Sequence, residues 1–314
     1  MAVSNFIQTI WSKKIQDDLE LKTKLVANCL RSYEGDCKYA QSVKILGVGE
    51  PTIGTYTGAA ITIEEMSDKG QTLTIDQANY FAFYVDDVNE AQSVPGLKEE
   101  YQRKAVHGLA VARDTYVANL IKVANYVPTA DTTATSGKTY YTKTNEITFT
   151  SVTPAQGANP ATLGYYEASA KHVTTATALT QEAVKKAIDG AIVALRERNF
   201  DEEGVIEITP AVYNVFKNEL ITLSTNNPEY IKKGIVGMYD GMEVCMSNNM
   251  AKDATHVYCD VRGKKAIAFA GQINEVEALR AEKVFKDIIR GLDTFGAKVI
   301  DENRIQTVKV PLGA

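Results

Sequence analysis

The chain has 314 residues, 45% hydrophobic and 23% charged, enough apolar material for a sizeable core. A formal net charge of -5 argues against tight, non-specific DNA binding, which needs clustered Lys and Arg against phosphates. No apolar run approaches the roughly 20 residues that span a bilayer, and no basic start followed by an apolar stretch suggests a secretory leader, so folding in a cytoplasm is expected.

Residues 1–45 read as an arm, with a short amphipathic helix around Ile10, Trp11, Ile15 and Leu19. A lone Trp11 in such an arm points to docking, on a neighbour or on the chain's own core. Residues 46–85 change character. "GVGEPTIGTYTGAA" carries four glycines and a proline, which excludes a regular helix. "AITIEE" and "QTLTID" alternate with period two and "YFAFYV" is rich in β-formers, so a long, bendable hairpin or loop is predicted.

The clearest helix is predicted over 97–126. Leu97, Tyr101, Ala105, Leu109, Ala112, Tyr116, Leu120 and Val123 recur at steps of three or four, and Val106, Ala110, Val117 and Ile121 widen the stripe. Pro95 and Gly96 punctuate its start and Pro128 blocks its continuation. Such a helix is about 45 Å long and acts as a strut. The block 128–175 follows, with 13 Thr and six charged residues. "EITFTSV" alternates, turn residues separate the short runs, and Tyr140–Tyr141 near the start answer Tyr165–Tyr166 near the end. A small all-β insert is predicted, its first and last strands side by side.

Helices resume at 179–199, with Thr180 as N-cap, a Leu179–Val184 staple, and Val184, Ile188, Ile192 and Leu195 on one face. "ITPAVYNVFKNEL" predicts another, with Thr209 as cap and Pro210 at its first position. "MEVCMS", "HVYCDV", "KAIAFA", "KVFKDIIRGLDTFGAKVI" and "IQTVKV" read as antiparallel strands, the second and third joined across "RGKK".

Site chemistry is sparse. "TSGKT" lacks the first glycine of a phosphate loop, since Thr132 stands there, and no helix follows it. "GVGEPTIG" misplaces the third glycine of a dinucleotide turn. His107, His172 and His256 are far apart in sequence, with no HExxH and no GxSxG. Adjacent acids such as Asp86–Asp87 and Glu202–Glu203 diverge on regular structure and form no dyad by spacing. Cys29, Cys37, Cys245 and Cys259 show no CxxC and no metal spacing, and read as reduced thiols. Catalytic, cofactor-binding and metal-binding residues are therefore expected to be absent. An arm, a projection and a strut lose conformational entropy on ordering that a monomer does not offset, so self-association is the inference.

Four stretches resemble the major capsid proteins of tailed bacteriophages. "NFIQTIWSKKIQDDLELKTKLVANCLRSYEGDCKYAQSVKILGVGE" is similar to that family's arm and the start of its extended loop, and "LTIDQANYFAFYVDDVNEAQ" to the strand returning from that loop, with its Asp-Asp before the long helix. Residues 97–126 resemble the spine helix, and "FKDIIRGLDTFGAKVIDENRIQTVKV" the closing strands. Blocks like "KTYYTK…VTPAQGANPATLGYYE" resemble mobile modules of other phage structural proteins.

The resemblance implies an α+β, Hong Kong 97-like capsid fold with a small all-β insertion. It places an N-terminal arm at 1–45, an extended loop at 46–85, a peripheral domain at 86–127 and 261–314, the insert at 128–175 and an axial domain at 176–260. It implies a non-enzymatic virion protein, assembled in the bacterial host cytoplasm. Its partner is itself, in hexameric and pentameric capsomers that close an icosahedral shell around double-stranded DNA held without sequence-specific binding. Scaffolding, portal and decoration proteins are further partners, and no membrane is involved. Trp11, Ile15 and Tyr56 are the expected subunit contacts. The alternative is another phage structural or surface-binding protein, such as a tail component, sharing the Tyr/Thr-rich module.

Overall fold

A computed structural model describes residues 23–34, 42–48, 68–86, 97–124, 140–143, 149–152, 165–167, 172–222, 237–280 and 286–312. In chain order its first elements are β1 (Ser42–Val48), β2 (Asp68–Thr74), β3 (Gln77–Asp86), α1 (Leu97–Ala124), β4 (Tyr140–Lys143), β5 (Phe149–Val152), β6 (Tyr165–Glu167) and β7 (Val173–Thr175). Then come α2 (Gln181–Arg196), β8 (Gly204–Ile208), α3 (Pro210–Thr222), β9 (Met238–Tyr239), β10 (Met242–Met246), β11 (His256–Gly263), β12 (Ile267–Arg280), β13 (Lys286–Val299) and β14 (Ile305–Pro311).

The predicted strut is present as α1, 28 residues and therefore about 42 Å long. Its two halves differ. Around Tyr116, Val117, Ala118, Leu120 and Ile121 the helix is buried on several sides, whereas Arg103, Lys104, His107 and Gly108 nearer its start are exposed. Val106, Leu109 and Ala110 pack with Ile289 and the half-buried Phe81 and Phe83, which lays the first half of α1 across a three-stranded antiparallel sheet ordered β12-β13-β3. Alternation in β3 follows from this: Phe81 and Phe83 turn to the helix while Tyr80, Ala82 and Tyr84 turn away.

A second sheet holds six strands in the order β7-β14-β11-β8-β10-β9. Ile206, Ile208, Val257, Cys259, Val261, Val308 and Val310 meet Val184, Ile188, Ile192 and Leu195 of α2, with Val212 and Phe216 of α3, over one face. The other face meets the second half of α1 and the segment 23–34, through Leu25, Val26, Tyr116, Leu120 and Ile305. Covered on both sides, β8 is buried at every position.

Several expectations change here. "RGKK" does not join a hairpin: β11 pairs with β8 and β14, β12 pairs with β13, and the turn carries the chain from one sheet to the other. The strand β10 runs parallel to β8, and its antiparallel partner is β9, reached through Asp240 (φ 49°) and Gly241 (φ 80°). That Asp-Gly pair satisfies the left-handed geometry of a tight hairpin turn. The block 128–175 ends sooner than predicted, because β7 pairs in parallel with β14 in the large sheet. Thr180 does occupy the N-cap of α2, but its hydroxyl makes no capping bond.

Within the block, β4 pairs with β5 on one side and β6 on the other, with Tyr141 opposite Tyr166. First and last strands are thus adjacent, as the tyrosine pattern predicts. β1 and β2 form their own antiparallel pair, whose Ile45 and Leu73 are buried against Ala268 and Ala270 of β12. The crossing is close at Gly296, where a Cβ would stand 2.1 Å from the Thr74 carbonyl oxygen. Only glycine lets the chain end of β2 lie on β13 there.

Candidate functional site

Trp11, Ile15 and Tyr56, the contact residues expected from sequence, lie outside the described residues. The three histidines belong to separate surroundings. His107 is exposed on α1, the His172 ring nitrogen Nδ1 meets the Arg198 guanidinium, and His256 opens β11 with its backbone N–H donating to Asp253 Oδ1 at 2.6 Å. Among the described residues no group of three or more His, Cys, Asp or Glu is arranged to hold a metal.

What the described surface offers is a sheet face. Turned away from α1, the register sets Tyr80 beside Leu292, and Ala82 beside Arg290 and then Glu277. Tyr84 lies beside Ile288 and then Leu279. Tyr80 is 80% exposed, Tyr84 66%, Leu279 41% and Leu292 40%. One ion pair crosses this apolar face, Arg290 Nε donating to Glu277 Oε2 at 2.6 Å. Beside it, the outer edge of β3 has no strand partner among the described residues. A groove of about 420 Å³ separates that edge from α1, where Ala105, Gly108 and Ala112 leave room. Unpaired edges and contiguous exposed aromatics are features that monomers blunt and assemblies use.

The face is held rigid from behind by two joints on adjacent residues of α1. Arg113 Nε donates to Asp293 Oδ2 at 3.0 Å, a second guanidinium nitrogen meets Oδ1, and the group lies 5.6 Å from the Phe269 ring and 5.8 Å from that of Phe295. Asp114 points elsewhere, about 100° round the helix. Its carboxylate accepts from the backbone N–H groups of Lys24, Leu25 and Val26 at 3.1–3.2 Å and ties the N-terminal segment to the helix. Burial pushes the Asp114 carboxyl above its ordinary range even though those amides favour the charged form.

A third joint lies between that segment and the large sheet. Arg262, fully buried, donates through Nε to Glu207 Oε2 at 3.1 Å and through Nη2 to Glu207 Oε1 at 2.9 Å. It also donates to the Asn28 and Leu25 carbonyl oxygens at 2.8 and 3.2 Å. Asn28 Nδ2 adds a bond to Glu207 Oε1 at 2.9 Å. Sequence reasoning missed all these charges; the available signal was an acid or arginine inside an otherwise apolar strand, as in "VIEI" and "CDVRG".

No protein-family model matches the sequence, and no curated protein does. Solved structures do. The chain superposes on a structure of Mycobacterium phage Che8 with a TM-score of 0.62 at 20% identity, covering 91% of both chains. It matches the capsid structure of cyanophage P-SCSP1u with a TM-score of 0.61 at 15% identity, over 91% of this chain and 86% of that one.

This is a phage capsid fold. The likeness extends to the mature capsid of bacteriophage PhiM1, with a TM-score of 0.58 at 15% identity over 86% and 82% of the two chains. It extends also to a virus-like particle from Pyrococcus furiosus, with 0.53 at 10% over 97% and 99%. At such identities it is the fold that is shared. In a capsid fold the long helix, the small sheet laid across it and the large sheet beyond form one mixed α+β body, and no helix of the described residues is long and apolar enough to cross a membrane.

Proposed function

We propose that this chain is the major capsid protein of a tailed phage, with a Hong Kong 97-like fold, and that copies of it close an icosahedral head around double-stranded DNA. The observation that carries this reading is a shared fold over nine tenths of both chains in a phage structure, with similar coverage in a cyanophage capsid. The role is structural, and the subunit acts by geometry: one body of helix and sheet meets both five-fold and six-fold neighbours through its contact surfaces. Residues 1–45 serve as arm, 46–85 as extended loop, and the sheet of residues 140–167 belongs to an insertion in the shell protein. Trp11, Ile15 and Tyr56 contact neighbouring copies, and the face bearing Tyr80, Tyr84, Leu279 and Leu292 is a second contact surface. Net acidity suits a wall around DNA, since tight phosphate binding would hinder packing and release.

The test is assembly in a bacterial cytoplasm, alone or with its head-assembly partners, followed by electron microscopy and sedimentation. Isometric shells or ring-shaped capsomers are expected. Monomer alone under assembly conditions overturns the reading, and tubes replace it with the tail-component alternative.

A further inference from the structure

The joint between the N-terminal segment and the large sheet holds one acid too many. Asp260 sits on β11 directly opposite Glu207 on β8, and both are fully buried. The single arginine between them is Arg262, whose Nε lies 3.1 Å from Asp260 Oδ2. Yet the hydrogen bonds of that guanidinium go elsewhere: Nε and Nη2 to Glu207, Nη2 also to the Leu25 carbonyl and the Cys29 sulfur, Nη1 to Asn28. Among the described residues neither oxygen of Asp260 has a hydrogen-bond partner, though both are buried. Two ionised carboxylates against one guanidinium would leave a net negative charge in a dry interior, where an unpaired charge takes up a proton in preference to persisting.

We propose that Asp260 and Glu207 share one proton, carried by Asp260 and directed at Glu207, and that this proton latches the N-terminal segment onto the body. The proton supplies the hydrogen that the orphaned carboxyl lacks and turns an acid–acid contact into a donor–acceptor pair. It leaves Glu207 as the single carboxylate for Arg262 and Asn28, which hold the segment. At alkaline pH the proton passes to hydroxide, forming water. Two carboxylates then compete for one guanidinium, and Arg262 is drawn from the Leu25 and Asn28 carbonyls.

Facing Asp260 are Glu207 from β8, Arg262 from β11, Thr307 from β14 and, on the segment, Cys29. Cys259 stands beside it on the strand, Cys245 lies opposite Glu207 on β10, and Asp114 of α1 grips the same segment. Burial pushes the Cys29 and Cys259 thiols up to about 12, which keeps them neutral near neutral pH. Burial, and then the Glu207 charge, hold Asp260 well above the carboxylate range. The folded state therefore binds this proton more tightly than the unfolded chain does. The stability it confers is complete below about pH 4, the unfolded value, and is lost as pH rises through the folded value.

The decisive experiment compares the full chain with D260N, whose amide donates to Glu207 at every pH. Thermal midpoints are expected to lie closest below about pH 4 and to separate as pH rises from there through the folded value, with the wild type the lower. Hydrogen exchange, corrected for the intrinsic base-catalysed rate, should place the loss in residues 24–29, growing by up to about ten-fold per pH unit between the unfolded and folded values in the wild type, level above the folded value, and absent in D260N. Parallel midpoint curves, or a separation without opening of that segment, overturn the latch. Should D260N fail to fold, carboxyl-carbon NMR of labelled wild type decides alone: Asp260 protonated at pH 6 supports the proposal and Asp260 ionised there ends it.

Discussion

The two main sheets solve opposite problems with similar residues. In the six-stranded sheet both faces are covered, β8 is buried throughout, and charged groups such as Glu207 and Arg262 are enclosed and matched. In the three-stranded sheet one face lies on α1 while the other presents Tyr80, Tyr84, Leu279 and Leu292 to solvent. The centre of the first sheet is completed within the subunit, and one whole face of the second is not. A charge inside the covered sheet therefore serves folding, and an aromatic on the uncovered one is free to serve association.

The sharpest way to break this contrast is Arg262→Ala. It strands two buried acids and should cost about 3–5 kcal/mol of subunit stability, read from the denaturant midpoint. A cost below 1 kcal/mol would show the joint to be solvent-compensated. Next, Gly296→Ala drives a methyl into the Thr74 carbonyl and should cost about 1–3 kcal/mol. Hydrogen exchange should place the loosening at the foot of the β1–β2 pair, leaving β8 and β11 protected. Asp114→Asn replaces one of two accepting oxygens and should cost about 1 kcal/mol, with amides 24–26 exchanging faster. The smallest folding effect belongs to the double variant Tyr80→Ser with Tyr84→Ser, within about 0.5 kcal/mol of the parent. That variant should nonetheless lose shell or capsomer formation in sedimentation, and normal assembly would remove this face from the contact surface.

Much of the fold is legible in the sequence where a signal is both local and repeated. The helix α1 is described over Leu97–Ala124, within the span that Pro95, Pro128 and the apolar stripe suggest. Leu195 and Ile188 of α2 fall on the buried face that their spacing predicts. Strand partnership is less legible, because a turn such as "RGKK" encodes a reversal of direction but not which sheet receives the next strand. Length was the overlooked clue. The 14 residues of β12 have nowhere to pair along the 8 of β11, whereas β13 also has 14. The Asp240–Gly241 turn was written in the sequence and passed over. The candidate surface was the least legible, since Tyr80 and Phe81 look alike in composition, and only the register against β13 and the position of α1 tell the outward ring from the inward one.

The pairing of β4 with β6 has a practical consequence. The strands by which the chain leaves for residues 144–164 and returns from them lie one strand spacing apart, about 4.8 Å. Any folded polypeptide whose own termini are that close could be grafted in place of the module. The join between β4 and β6 is thus a point at which the chain tolerates exchange of one folded unit for another.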